Sequence, residues 1–245
     1  MSVISRIFGS KKEKLDLSLI EVDMHSHLIP GIDDGSKNMD ETIALLAKFQ
    51  SMGYRKVVTT PHIMSDYYPN TRDIILSGLH DVREMAAKLN LSIEIEAAAE
   101  YYFDETLPSK IKEKELLTFG GNHVLVEFAF QGSPTYEDEL FFDMLSADYQ
   151  PVLAHFERYG AFMGNVDKAA EYRDKGVLIQ MNLNSLTGHY GPHIKKQAEQ
   201  LIDKGLVDFV GTDCHRIQHL RLLEDNLHLP YFSKLTSHNL RNTHL

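Results

Sequence analysis

Side chains able to hold divalent cations recur in this sequence at the ends of short apolar runs. Asp23-Met-His25-Ser-His27 closes the first run, Thr60-Pro61-His62 the second, and Ala97-Ala-Ala-Glu100 the third. Val124-Leu-Val leads into Glu127, Pro151-Val-Leu-Ala into His155, and Val207-Asp-Phe-Val-Gly-Thr into Asp213-Cys-His215. His25 and His27 are two residues apart, as are Asp213 and His215, so an extended backbone turns both members of each pair to one side. Each pair can chelate an ion. Mixed imidazole and carboxylate donors suit Zn, Mn or Fe, whereas an all-oxygen set would suit Mg or Ca. The set is too large for one ion, and Glu127, central among the runs, is the natural carboxylate to offer one oxygen to each of two.

Taken singly, each residue has a plainer reading. A lone buried histidine is more often a hydrogen-bonded core residue than a ligand, and a lone glutamate after a strand is often a loop charge. Together they read differently, because Glu127 and His155 follow runs apolar enough to be buried, and a buried carboxylate is costly unless a cation neutralises it. A scaffold that keeps metals only for stability is the competing class, but such a chain has no need of an open, polynuclear set. Cysteine-based phosphoester chemistry fits poorly. The six residues between Cys214 and Arg221 are one too many for a phosphate loop and include no glycine, so Cys214 reads as a small filler.

The elements that must bring these residues together alternate between short β-rich runs and helical patterns. Strands are expected over 19–24, 55–60, 92–97, 124–128, 151–154, 177–183 and 206–210. Helices are expected over 39–52, 71–89, 104–115, 136–147, 166–175 and 193–204, with a helical remainder after His215. That is about seven βα units, and no G-x-G-x-x-G follows any strand, so a closed or nearly closed barrel accounts for them better than a dinucleotide-binding sheet. In a parallel barrel all C-terminal strand ends share one face, which gathers ligands spread over most of the chain.

With 245 residues and 43% apolar content, the chain reads as a single domain over 1–245, with 1–18 as a flexible or capping N-terminal segment. A formal charge of −10 is the wrong sign for nucleic-acid binding. No apolar run is long enough for stable membrane insertion, and one cysteine excludes an internal disulfide, so a cytoplasmic protein is expected. Arg6, Lys11, Lys12 and Lys14 make the leader locally basic, a feature that could touch a membrane surface or a partner but that reads better as a terminal cap.

Asp23-Met-His25-Ser-His27-Leu-Ile-Pro-Gly-Ile-Asp33-Asp34-Gly35, Thr60-Pro61-His62, Ala99-Glu100-Tyr101, Val126-Glu127-Phe128, His155-Phe156-Glu157-Arg158-Tyr159 and Thr212-Asp213-Cys214-His215, in that order, resemble the polymerase-and-histidinol-phosphatase (PHP) superfamily. Within it they are most similar to bacterial tyrosine-protein phosphatases of capsule and exopolysaccharide clusters. The resemblance implies a distorted (β/α)7 barrel with its metal site at the C-terminal strand ends. It implies two or three divalent ions, manganese first with Fe or Zn as alternatives, held by His25, His27, Asp34, His62, Glu100, Glu127, His155, Asp213 and His215. It implies that Arg158 grips the phosphate and that a hydroxide between two ions attacks phosphorus directly. The substrate so implied is a phosphotyrosine-bearing protein, a chain-length-regulating tyrosine kinase of polysaccharide synthesis. The chain departs from the pattern after His215: where a Gly-Arg-Pro-type loop usually brings a second phosphate-binding arginine, it reads His215-Arg216-Ile-Gln-His219-Leu-Arg221, leaving Arg216 or Arg221 to substitute.

The resemblance implies alternative activities, and the residues suggest further support roles. A small phosphomonoester such as histidinol phosphate is the alternative substrate, and DNA exonuclease activity, as in polymerase-attached relatives, is disfavoured by the acidic charge. Tyr67-Tyr68 and Tyr101-Tyr102 could rim a cleft, and Asn182-Leu-Asn184-Ser185 could line or support it. Asp23 is expected to orient a ligand histidine and Glu157 to position Arg158, while His80, His123, His189, His193, His228, His238 and His244 read as surface or structural.

Overall fold

The computed structural model describes residues 15–132 and 135–245, so Arg6, Lys11, Lys12 and Lys14 lie outside the described residues. Nine short strands are present among them: β1 Val22–Asp23, β2 Lys56–Thr59, β3 His62–Ile63, β4 Glu94–Ala97, β5 Glu100–Tyr102, β6 His123–Glu127, β7 Gln150–Leu153, β8 Leu178–Asn182 and β9 Phe209–Gly211. All pairings between these strands are parallel, in the orders β1-β2-β4 and β3-β5-β6-β7-β8-β9. Pro61, which has no N–H to donate, divides β2 from β3. Across that break the amides of Ala98 and Glu100 still donate to the Thr59 and Pro61 carbonyls at 2.9 and 3.1 Å. β2 with β3, and β4 with β5, are therefore single interrupted strands, and the sheet has seven positions, as the distorted (β/α)7 reading expects.

Backbone and side chains together close the sheet on itself. At the upper end, His27 N–H donates to the Cys214 carbonyl at 2.9 Å and Asp213 N–H to the His25 carbonyl at 2.8 Å. Below, Asn242 Nδ2 donates to the carbonyls of Val22 and Val210 at 2.9 and 2.8 Å while its Oδ1 accepts from Val210 N–H at 3.0 Å, completing the ladder that β1 and β9 lack. Asp23 belongs to this seam. Its carboxylate accepts from Thr212 N–H and Oγ1–H at 2.7 and 3.0 Å, so it joins β1 to β9 and does not orient a ligand imidazole as the sequence suggested.

Helices cover the outside: α1 Met39–Ser51, α2 Arg72–Lys88, α3 Leu107–Glu113, α4 Glu137–Ser146, α5 Asp167–Asp174, α6 Pro192–Asp203, α7 Ile217–Asn226 and α8 Pro230–Leu235. Their starts follow local chemistry. Asn38 caps α1 by accepting from Glu41 N–H, and Thr71 caps α2 by accepting from Ile74 N–H. Ile75, Leu79, Val82 and Ala86, at helical spacing, bury one face of α2. Leu15 and Leu17 are buried and Leu15 N–H donates to the Leu227 carbonyl at 3.0 Å, so the chain is packed from the first described residue. The barrel lumen holds Val22, Met24, Val58, Ala98, Leu125, Val152, Ala154, Leu178 and Phe209 in one apolar cluster, with Phe119 joining it and Leu245 packed against it.

Candidate metal centre

Directly above that cluster the inward positions turn polar. Ala98 and Glu100, Leu125 and Glu127, and Leu178 and Gln180 are each two residues apart, so the strand period places each polar residue one layer above an apolar one. His155 and Asp213 break that period. Both have left-handed backbones, φ 31° and φ 49°, an uncommon conformation for residues with a Cβ that turns them in over the lumen. Gly211 has a steric role, since a Cβ there would lie 2.6 Å from the His25 Cβ.

Glu100 is the centre of the arrangement. Its Oε2 lies 3.1 Å from His25 Nε2, 3.4 Å from His27 Nε2 and 3.3 Å from His62 Nδ1, and its Oε1 is 2.9 Å from His155 Nε2. Glu127 contacts only two imidazoles, His62 at 3.2 Å and His155 at 3.6 Å, so Glu100 and not Glu127 has the central place among the strands. Asp213 Oδ1 stands 3.6 Å from His25 and 3.5 Å from His27. Asp34 Oδ1 lies 3.2 Å from His215 Nε2 and 3.6 Å from His62 Nε2. These residues form four overlapping groups able to hold an ion: His27, Asp34, His62 and His215; His25, Glu100 and His155; His25, His27 and Asp213; and His62, Glu100 and Glu127.

The spacings fit metal coordination, and those of His25 and His155 to Glu100 are hydrogen-bond distances as well. Two atoms each about 2.1 Å from one ion at tetrahedral or octahedral angles lie roughly 3.0–3.4 Å apart. His27 Nε2 and His62 Nδ1 are buried with no hydrogen-bond partner although carboxylate oxygens are near. A buried polar atom left in this way is costly unless something else engages it.

The outward nitrogens of His25, His27 and His215, by contrast, have partners, whereas His155 Nδ1 has none. His27 Nδ1 meets Asp33 Oδ2 at 2.8 Å, His25 Nδ1 meets Gln180 Oε1 at 3.1 Å, and His215 Nδ1 meets the Asp213 carbonyl at 3.0 Å. Gln180 Oε1 also accepts from His155 N–H at 2.8 Å, which fixes it as the carboxamide oxygen. Since these acceptors need a donor, each Nδ1 carries a proton and Nε2 is the nitrogen turned inward, the orientation metal-bound histidines adopt. Sequence reasoning assigned no such role to Asp33 or Gln180; the two-residue spacing of Gln180 and Asn182 on β8 was the available signal.

Charge in the cluster is tightly balanced. Burial opposes a charged His25, yet Glu100 and Asp213 more than offset it and push its pKa up to about 9. Burial opposes ionised Glu100 as well, but His25 and His62 hold it well below the usual carboxylate range. Asp34 is brought down to about 2, against partial burial, by His215 and His62. The carboxylates therefore require positive charge beside them, and a divalent ion would supply it more compactly than protonated imidazoles.

Arg158 reaches the edge of this cluster, where its Nη1 donates to Asp213 Oδ2 at 2.8 Å. Asn182 Nδ2 donates to the same oxygen at 2.8 Å. Glu157 does not position Arg158: it is buried and accepts from Asn182 N–H and Ser185 Oγ–H. Arg216 is exposed at the N-cap of α7, next to His215. Arg221 makes no contact with the cluster among the described residues. It is exposed on α7 in a surface hollow with Ala44, Ala47 and Lys48 of α1, because a helix turns residues five apart to different faces.

The supporting residues divide similarly. Tyr68 stacks on His62 with ring centroids 5.4 Å apart and Tyr67 is exposed, whereas Tyr101 is core, its hydroxyl accepting from Leu117 N–H. Asn182 and Ser185 brace Asp213 and Glu157, and Asn184 donates to the His219 carbonyl, so this segment supports the cleft. None of the histidines read as surface or structural joins an ion-holding group among the described residues.

Residues 21–222 match the family described as "Capsular polysaccharide synthesis, CpsB/CapC". The chain belongs to the CpsB/CapC family. Among its relatives, CapC of Staphylococcus aureus is 30% identical over 223 residues, covering 89% of this chain and 88% of the relative. The tyrosine-protein phosphatase CpsB of Streptococcus pneumoniae is 29% identical, covering 80% and 83%. The fold of this CpsB/CapC chain superposes with a TM-score of 0.76 and 23% identity on a structure from work on Bacillus subtilis YwqE and S. pneumoniae CpsB, which it describes as metal-dependent tyrosine phosphatases; 89% of this chain and 96% of that one are covered. A histidinol phosphate phosphatase from Lactococcus lactis shares the fold more distantly, with a TM-score of 0.54 and 15% identity over 90% of this chain and 94% of that one. No helix among the described residues is long and apolar enough to cross a membrane.

Proposed function

We propose that this CpsB/CapC-family chain is a metal-dependent protein-tyrosine phosphatase whose substrate is a phosphotyrosine-bearing kinase of polysaccharide synthesis, and that it works in the cytoplasm. The observation that carries the chemistry is the pair of buried, unpartnered imidazole nitrogens, His27 Nε2 and His62 Nδ1, facing Glu100, Asp213 and Glu127. The substrate class comes from the relatives' names and the family's description.

His25, His27, Asp34, His62, Glu100, Glu127, His155, Asp213 and His215 would hold two or three ions, with manganese first and iron or zinc as alternatives. Ions bound there would polarise the phosphoryl oxygens and lower the pKa of water at the site. Asp33, Gln180 and the Asp213 carbonyl keep the imidazoles turned inward, so little reorganisation is left to the moment of reaction. Arg158, anchored to Asp213 through one nitrogen, has further N–H groups for the transferring phosphoryl group and spreads its charge. Tyrosinate is a better leaving group than an alkoxide because its conjugate acid has a pKa of about 10.

The test is phosphate release from a phosphotyrosine peptide by metal-stripped protein, with and without added Mn²⁺, beside His155→Ala and with histidinol phosphate as a second substrate. Manganese-dependent release from the peptide, lost in the variant, is the expected result. Faster release from histidinol phosphate would transfer the proposal to a small phosphomonoester, and no release from either under any added metal would overturn it.

A further inference from the structure

Arg158 is held by more than Asp213. Its Cζ lies 4.3 Å from the centroid of the Phe130 ring and 4.4 Å from that of Tyr190. The guanidinium therefore meets the faces of both rings, which make no ring contact with each other among the described residues. They come from different loops, Phe130 after β6 and Tyr190 after β8, on either side of the β7 strand that leads to Arg158. The Phe130 loop is tied to the arginine's own segment, since Gly160 N–H donates to the Phe130 carbonyl at 2.9 Å.

We propose that Phe130 and Tyr190 form an aromatic clamp of positioning residues that fixes the plane of the Arg158 guanidinium for phosphate; the proposal rests on the phosphatase reading above. One N–H bond to Asp213 leaves a long side chain free to rotate about it. Two ring faces remove that freedom by attraction between the cation and the π-systems. Ring faces also leave the guanidinium's in-plane N–H groups free, whereas a second carboxylate would occupy them. The clamp thus orients the arginine without consuming the donors a phosphoryl group needs.

The experiment measures binding of inorganic phosphate to the manganese-loaded protein, together with kcat and KM for a phosphotyrosine peptide, in Tyr190→Leu, Tyr190→Phe and Phe130→Leu. Leucine keeps bulk and loses the π-face; phenylalanine keeps the face and loses only the hydroxyl. Each leucine variant should weaken phosphate binding and raise KM by about tenfold, with metal content unchanged, while Tyr190→Phe stays within about twofold of the parent. In an Arg158→Ala background, Tyr190→Leu should cost less than about twofold, since the group it positions is gone. Equal losses in both backgrounds, an unaffected Tyr190→Leu, or a Tyr190→Phe as weak as the leucine variant would overturn the clamp. Absent peptide turnover in the parent would overturn the phosphatase reading, and the clamp would then be judged on phosphate binding alone.

Discussion

Leu125 and Glu127 lie two positions apart, as do Ala98 and Glu100, yet the layers they occupy are opposite in chemistry. The lower lumen is a closed apolar cluster around Val22, Val58, Leu125, Val152 and Phe209, every one of them fully buried. The upper lumen packs five histidines against Asp34, Glu100, Glu127 and Asp213, with two inward imidazole nitrogens unpartnered. Burial stabilises the first by about 1.5–3 kcal/mol per large aliphatic side chain, while it works against charged His25, ionised Glu100 and ionised Asp213 in the second. One sheet therefore separates its tasks by layer: strand bottoms hold the fold together and strand tops hold charge ready for a cation and a phosphate.

The strongest way to break this division is at Glu100, which touches four imidazoles. Glu100→Gln keeps shape and removes the anion. Turnover of a phosphotyrosine peptide should fall by at least about 10³-fold with loss of bound manganese. The stripped variant should still unfold cooperatively, because imidazoles that lose their anion can release their protons. Full metal content with near-parent turnover would show that Glu100 is only one carboxylate among several.

Leu125→Ala probes the layer beneath. Truncation of a fully buried leucine leaves a cavity, and the unfolding free energy should drop by about 2–5 kcal/mol. Turnover of the folded fraction should remain within roughly threefold of the parent, because no ligand side chain is changed. A Leu125→Ala protein that is stable but has lost its metal would mean that the layers are mechanically coupled and the division is false.

How far the sequence disclosed this arrangement depends on the range of the interaction involved. Strand positions and the polar residues that end them were legible because each is a local pattern, an apolar run followed by His, Asp or Glu, and the barrel topology then supplied the common face. The breaks at Pro61 and Ala98–Ala99 blurred only the strand limits. Residues whose role is a through-space contact were hidden. Gln180 reaches His25 across 155 positions and Asn242 reaches Val22 across 220, and no such local pattern marks either residue. Asp23 and Glu157 were misread for the converse reason: adjacency to His25 and Arg158 in the chain suggested contact, whereas the strand and the short helical turn direct them to Thr212, Asn182 and Ser185. Arg221 was a candidate by proximity in sequence, but a helical turn carries it to the outer surface.

Cys214 gives the smallest expected effect and separates side chain from backbone at the seam. Its carbonyl accepts from His27 N–H, so the residue's position helps set the ligand strand. Its thiol does little: Sγ is buried, its one hydrogen-bond partner among the described residues is the Arg216 carbonyl at 3.6 Å, and burial, with Asp23 beside it, pushes its pKa well above the usual thiol value. A thiol held protonated in this way is a poor nucleophile. Cys214→Ala keeps the backbone contact and removes one buried atom, so it should cost about 1 kcal/mol of stability and leave peptide turnover within roughly twofold of the parent. Loss of turnover with manganese still bound would place the sulfur in the chemistry and undo the assignment of catalysis to the layer of histidines and carboxylates.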